Sequence, residues 1–252
     1  MTPFFQIAPS TNRDAVRLFC VPHAGVGASA FRGWKKQLEP DIQVVLINLP
    51  GRESRFRDRH YHDMEVLAGE LSEAVLAHVE DGQRFAFFGN SLGGLIAFET
   101  VRRIERRTEL QAMHLFVSAT GAPHLNPPLP PIAHLDNREF IREVSERYGG
   151  IPEMILQDEE YLAMVVSCLR SDLRLLENYE RRKPEPLSCP ITAFGGTRDQ
   201  SIPVDHIGQW SKQTSASFSR ILLDQEHLYL QSARDELIAH IRGTLLAETC
   251  VR

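Results

Sequence analysis

A serine bracketed by glycines is the residue in this 252-residue chain best placed to do chemistry. Ser91 lies in Gly89-Asn90-Ser91-Leu92-Gly93-Gly94, between the apolar runs Phe85-Ala86-Phe87-Phe88 and Leu95-Ile96-Ala97-Phe98, with no polar linker on either side. A strand, a very tight turn and a helix in direct succession force the middle residue into a strained conformation and lift its side chain off the end of a sheet. Glycines two positions before and two after let strand and helix approach without Cβ clashes, which is the mechanical content of a Gly-x-Ser-x-Gly nucleophile elbow. The bland alternative is a Gly-rich turn with an incidental serine, and the strand-turn-helix context argues against it.

A serine hydroxyl attacks a carbonyl only when a base takes its proton, and an imidazole base needs a carboxylate to hold its tautomer and stabilise its cation. On an elbow sheet those partners follow the serine in the order acid, then histidine. Asp199 comes just after the apolar run Ile191-Thr192-Ala193-Phe194, and His227 just after Arg220-Ile221-Leu222-Leu223, so both are expected at the rim that carries Ser91. His206 and His240 also follow Asp199 but fall in helical patterns, and Asp224, three residues before His227, is the rival acid. The oxyanion formed on attack needs prepositioned donors, each contributing about 3 kcal/mol in well-studied hydrolases. The backbone N–H of Leu92 is one candidate. The other is Ala24, in the small-residue loop Pro22-His23-Ala24-Gly25 after an earlier strand.

The elements that must position these groups can be read in order. Val16 to Val21 is a short apolar strand ending in a small-residue loop, and Gln43 to Leu49 is apolar enough for a strand covered on both faces. Helices are expected near Ala30 to Leu38 and from Met64 to Val79, where Leu67, Leu71, Val75 and Val79 recur every fourth residue. With the elbow strand and Met113 to Ala119, this alternation predicts an α/β fold with a mostly parallel sheet flanked by helices, whose ligands gather at the carboxyl ends of its strands. The alternation stops over 121–183. A proline-rich connection there leads to a helix opened by an Asp136/Glu139 capping box and closed near Gly149-Gly150, then to a helix over Asp158 to Tyr179. This helical insertion is a candidate lid over an apolar pocket, or it merely covers the sheet. A helix from about Tyr229 to Leu246 ends the chain.

Composition excludes several classes. A net charge of −5 offers no electrostatic case for nucleic acid. No apolar run approaches the roughly eighteen residues of a membrane span, and residues 1–14 lack the pattern of a secretory leader. Cys20, Cys168, Cys189 and Cys250 show no paired spacing, so reduced thiols and a cytoplasmic setting are expected, and with no domain-splitting linker in a chain of this length a single domain over 1–252 is expected.

Taken together, Pro22-His23-Ala24-Gly25, Leu49-Pro50-Gly51-Arg52-Glu53, Gly89 to Gly94, Gly195-Gly196 with Asp199, and His227-Leu228-Tyr229-Leu230 resemble the type II (external) thioesterases of nonribosomal peptide and polyketide synthesis. The resemblance spans essentially the whole chain and implies an α/β-hydrolase fold. It also implies Ser91, Asp199 and His227 as a catalytic triad, Ala24 and Leu92 as oxyanion donors, and a mobile lid. The activity it implies is hydrolysis of acyl thioesters from the phosphopantetheine arm of acyl or peptidyl carrier proteins, without metal or redox cofactor, by a protein expected as a monomer. Two positions depart from the family: Asn90 stands where histidine is usual, and Glu226 where glycine usually precedes the histidine.

Two basic runs, Arg52, Arg55, Arg57 and Arg59, and Arg102, Arg103, Arg106 and Arg107, are either docking patches for an acidic carrier or solvated faces. Other readings of the same residues are a general carboxylesterase, an acyltransferase, or a catalytically silent carrier-binding module.

Overall fold

The computed structural model describes residues 4–7, 12–79, 82–149, 159–180 and 185–251. Within them lies a seven-stranded sheet of order β1-β3-β2-β4-β5-β6-β7. The strands β2 (Val16–Val21), β3 (Ile42–Ile47), β4 (Phe85–Asn90), β5 (Leu115–Ser118), β6 (Ile191–Gly196) and β7 (Phe218–Leu223) run parallel. Only β1 (Phe5–Ile7) pairs antiparallel, with β3 at the sheet edge. The sequence reading has no counterpart for β1, because three residues are too few to show a period.

Every residue of β4 is buried, so successive side chains feed two cores. Phe85 and Phe87 face Phe19 and the helices α2 (Met64–Leu76) and α3 (Leu92–Arg107). Ala86 and Phe88 face Phe31, Trp34 on α1 (Trp34–Leu38), and Leu237 and Ile241 on α7 (Arg234–Val251). Each buried phenylalanine, leucine or isoleucine among them contributes about 1.5–3 kcal/mol relative to exposure. That burial locks the strand from which the elbow springs.

The chain runs from β2 to β3 on one side and then crosses to β4 on the other. A crevice therefore opens between the carboxyl ends of β2 and β4. The loop holding Ala24 and the turn holding Ser91 meet at that crevice.

Several boundaries differ from the sequence reading for physical reasons. The helix expected over Ala30 to Leu38 is split by Gly33 at φ 89°, with a 3-10 turn Ala28–Phe31 before it and α1 after it. α7 starts at Arg234 rather than Tyr229, because Tyr229 is buried and its hydroxyl is used elsewhere. That hydroxyl accepts from Ser118 Oγ at 2.8 Å and from the Ala119 N–H at 3.0 Å, tying the His227 loop to β5.

In the insertion, Asp136 caps α4 (Asn137–Tyr148) by accepting from the Arg138 and Glu139 N–H groups. Gly149, at φ 71°, caps the carboxyl end of α4. The expected helix end at Gly150 and start at Asp158 lie outside the described residues, as do 151–157 and 181–183. α5 (Glu159–Glu177) packs Val166 and Leu173 against Ile132, Phe140 and Val144 in a small core of the insertion's own. The Glu177 carboxylate accepts from the N–H groups of Ile132 and Ala133, closing the proline-rich connection onto α5.

Cys20, Cys168 and Cys189 are free, buried thiols. The Cys250 side chain lies outside the described residues. Among the described residues no helix is long and apolar enough to cross a membrane.

Candidate active site

Ser91 sits at φ 52°, ψ −117°, between the last residue of β4 and the first of α3. A Cβ on Gly89 would fall 2.2 Å from the carbonyl oxygen of Gly93, and one on Gly93 would fall 2.3 Å from that of Val21. Both obstacles are backbone, with no side chain to swing aside. Gly93→Ala is therefore expected to cost about 1–3 kcal/mol through overpacking. Thermal denaturation should show a Tm lower by about 2–10 °C.

The Ser91 hydroxyl lies 3.2 Å from His227 Nε2, and His227 Nδ1 lies 2.8 Å from Asp199 Oδ2. The His227 and Asp199 side chains are 5% and 1% exposed, so solvent does not compete for their hydrogen bond. Asp199 is itself oriented, since its Oδ1 accepts from the N–H groups of Ser201 at 2.8 Å and Ile202 at 3.1 Å. An ionised carboxylate at Nδ1 keeps the proton there and leaves the Nε2 lone pair facing the hydroxyl. Gly196 lets the histidine loop approach, for a Cβ there would fall 2.4 Å from the Gln225 carbonyl oxygen. The Tyr148 ring, from the last turn of α4, covers the imidazole at a centroid distance of 5.0 Å.

The rival residues are placed elsewhere. Asp224 is exposed and bonds Arg198 at 3.2 Å. His240 lies on α7 against the Phe194 ring, on the far face of the sheet. His206 sits on the short helix α6 (Val204–Gly208) with its ring against Gly121, lining the same cavity as Ser91. Glu226 points to solvent without a hydrogen bond to the imidazole. Asn90 is buried, with its amide nitrogen 3.2 Å from His23 Nδ1. Burial, then the neighbouring His227 and Arg52, pushes the His23 pKa down to about 4, so that ring stays neutral near pH 7.

Ala24 and Leu92 line the space beside Ser91, and neither N–H has a backbone partner among the described residues. Leu92 is the first residue of α3, where the N–H groups lack intrahelical acceptors. Immediately after Ala24, the Gly25 N–H donates to Asp172 Oδ2 at 2.8 Å. Asp172 in turn receives both terminal nitrogens of Arg52, at 2.6 and 2.7 Å.

Sequence reasoning missed Asp172, which on α5 looks like one polar position between apolar ones. It placed Arg52 in a basic surface run, whereas Arg52 is 6% exposed. Burial disfavours the Arg52 cation, but Asp172 outweighs it and raises its pKa.

A cavity of about 350 Å³ opens from Ser91 and His227 beneath the insertion, lined by Leu95, Leu125, Val144, Leu169, Leu173 and Leu176 among others. Such a space suits an apolar chain attached to a carbonyl held at Ser91. Among the described residues no group of three or more His, Cys, Asp or Glu is placed to hold a metal ion.

The two basic runs are less available than their sequence suggests. On α3, Arg102 pairs with Glu99, Arg103 with Glu65, Arg106 with Glu185 and Arg107 with Glu73. Arg55 binds Asp58 and stacks over Phe4. Arg57 and Arg59 remain, both exposed and flanking or following the half-exposed Phe56.

The thioesterase domain model matches residues 16–245. A protein named linear gramicidin dehydrogenase LgrE, from Brevibacillus parabrevis, is 38% identical over 243 residues, covering 95% of this chain and 91% of its own. Thioesterase PikA5 of Streptomyces venezuelae is 37% identical over 243 residues, covering 96% and 84%. Among solved structures, the RedJ thioesterase from the prodiginine pathway of Streptomyces coelicolor superposes with a TM-score of 0.84 at 35% identity, covering 94% of this chain and 95% of its own. With its mostly parallel sheet, its elbow and these relatives, the chain has the α/β-hydrolase fold and belongs to the thioesterase domain family.

Proposed function

We propose that this protein is a serine thioesterase that hydrolyses acyl groups from the phosphopantetheine arm of acyl or peptidyl carrier domains, serving editing or release in nonribosomal peptide or polyketide synthesis. The observation that carries this reading is the row Ser91, His227, Asp199 opening into an apolar cavity roofed by α4 and α5.

In the first step His227 Nε2 takes the Ser91 proton as Oγ attacks the thioester carbonyl, and the Ala24 and Leu92 N–H groups receive the oxyanion. Collapse breaks the C–S bond. The thiolate leaves with little protonation in the transition state and then takes the proton that His227 Nε2 had accepted from Ser91, so the acyl-enzyme forms readily and the imidazole is neutral again. His227 then activates water against the ester, and Ser91 recovers its proton. No step calls on a metal or a redox group. The insertion, about 121–183, acts as a lid whose Tyr148 and leucines exclude water around the acyl chain.

Rates on an acylated carrier protein, the matching acyl-coenzyme A and a simple oxygen ester test the reading together. Carrier-borne thioester is expected to be preferred in kcat/KM, and a preference for the oxygen ester would replace the proposal with a general esterase. In the same assay, the double charge reversal Arg57→Glu, Arg59→Glu is expected to raise KM for the carrier substrate several-fold and leave small thioesters unchanged, since carrier proteins are generally acidic. Equal effects on both substrates would remove these arginines from docking.

A further inference from the structure

Asp172 reaches from the insertion into the loop that holds Ala24, and three features make the contact more than a buried ion pair. Its carboxylate joins two partners, the Arg52 guanidinium and the Gly25 N–H, from an α5 position 147 residues away from that glycine. Arg52 grips the same loop on its other side by donating to the Val26 carbonyl oxygen at 3.2 Å, while its Nε donates to the Pro50 carbonyl oxygen at 3.1 Å. Leu169, one turn earlier on α5, sits 2.4 Å from where a Gly25 Cβ would be, so only glycine lets α5 lie this close. Gly25 is at φ 78°, and the Ala24–Gly25 peptide, whose N–H Asp172 holds, is anchored from outside the loop one peptide beyond the Ala24 N–H.

Resting on the thioesterase reading, we propose that Asp172, clamped by Arg52, is a positioning residue that orients the Ala24 N–H toward the oxyanion, so that oxyanion stabilisation is assembled only while α5 is seated on the 23–26 loop. An ion pair kept for stability alone would need neither the Gly25 N–H nor its location in the loop that holds Ala24. Buried pairs are in any case weak contributors to stability compared with apolar replacements of similar size. The clamp instead makes one of the two oxyanion donors conditional on the insertion. A substrate whose acyl chain and α5 pack together would meet a complete site, and an unseated insertion would leave the Ala24 donor unaimed.

The test uses the full-length protein with a short acyl thioester of N-acetylcysteamine, a trifluoromethyl ketone mimic of its tetrahedral intermediate, and hydrogen exchange at Gly25. Asp172→Ala is expected to lower kcat at least 30-fold with KM within twofold, to weaken the ketone by the same factor, and to speed Gly25 exchange. Asp172→Asn, which keeps an oxygen for the Gly25 N–H, should recover kcat to within about fivefold of wild type. The pair Arg52→Met with Asp172→Leu guards against misfolding, and is expected to keep the wild-type Tm and still show the low kcat. A folded Asp172→Ala or double variant with kcat within threefold of wild type would overturn the proposal. So would a double variant that restores Tm and kcat together. Should the wild type prove inert toward every thioester, the functional reading falls instead. Unchanged Gly25 exchange in Asp172→Ala would still reject the clamp by itself.

Discussion

Ser91→Ala is expected to lower kcat by about 10⁴–10⁶-fold while the protein keeps its fold and still binds acylated carrier. The size of the effect follows from the mechanism proposed above, in which no other group takes the nucleophile's place. His227 Nε2 is 3.2 Å from Ser91 Oγ and is covered by Tyr148, so water replacing the hydroxyl would have to attack without the covalent intermediate. Stability should change little. Alanine tolerates φ 52° about as poorly as serine does, and the strain is held by Gly89 and Gly93 closing the turn from both sides. Mass spectrometry of acylated carrier proteins after incubation with wild type and variant checks both halves, loss of deacylation and retained binding. Undiminished deacylation by the variant would remove Ser91 from the chemistry.

The second large effect is expected for Asp199→Asn, at about 10⁴-fold in kcat near pH 7. Here the geometry dictates which way the amide must face. Asp199 Oδ1 accepts from two backbone N–H groups, Ser201 and Ile202, and only the carbonyl oxygen of an asparagine can accept in its place. The amide nitrogen is then left toward His227 Nδ1, where it donates. The imidazole must answer with an unprotonated Nδ1 and a proton on Nε2, so it points a donor at the Ser91 hydroxyl and can no longer take its proton. Nitrogen NMR of His227 reads the tautomer directly. A variant that retains the Nδ1–H tautomer, or that loses less than tenfold in kcat, would contradict this account. Asp224→Asn is the natural control, because Asp224 is exposed and bound to Arg198, and it should leave kcat near wild type.

The parts of this structure legible in the sequence share one property: they depend on neighbours in the chain. Strand against helix was visible in Phe85 to Phe88 and in the four-residue recurrence of Leu67, Leu71 and Val75, because burial on one or two faces imprints a period. The elbow was visible because its glycines lie within two positions of Ser91. Asp199 and His227 were expected at one rim because each follows a strand, and a parallel sheet collects strand ends; the structure brings both side chains into a row with Ser91. Where local pattern misled, a distant partner had intervened. Tyr229 looked helical, yet β5 needs its hydroxyl at Ser118 and Ala119. Arg52 reads as part of a surface run and Asp172 as one polar position on an apolar helix, yet the two pair across 120 residues of chain.

By itself the sequence therefore determined the alternating architecture and which three side chains stand at strand ends, since these are set by periodicity and by short-range turn chemistry, while the family resemblance rested on matched motifs along the chain. Only the tertiary structure decided that α5 closes on the Ala24 loop through Asp172 and Arg52, that the arginines of α3 are spent on neighbouring carboxylates, and that the insertion encloses about 350 Å³ of apolar space. The physical reason is that a charge's partner, and the void between packed helices, depend on separate elements coming together, 38 residues apart for Arg103 and Glu65 and 120 apart for Arg52 and Asp172. Nothing in the composition of either segment alone encodes that meeting.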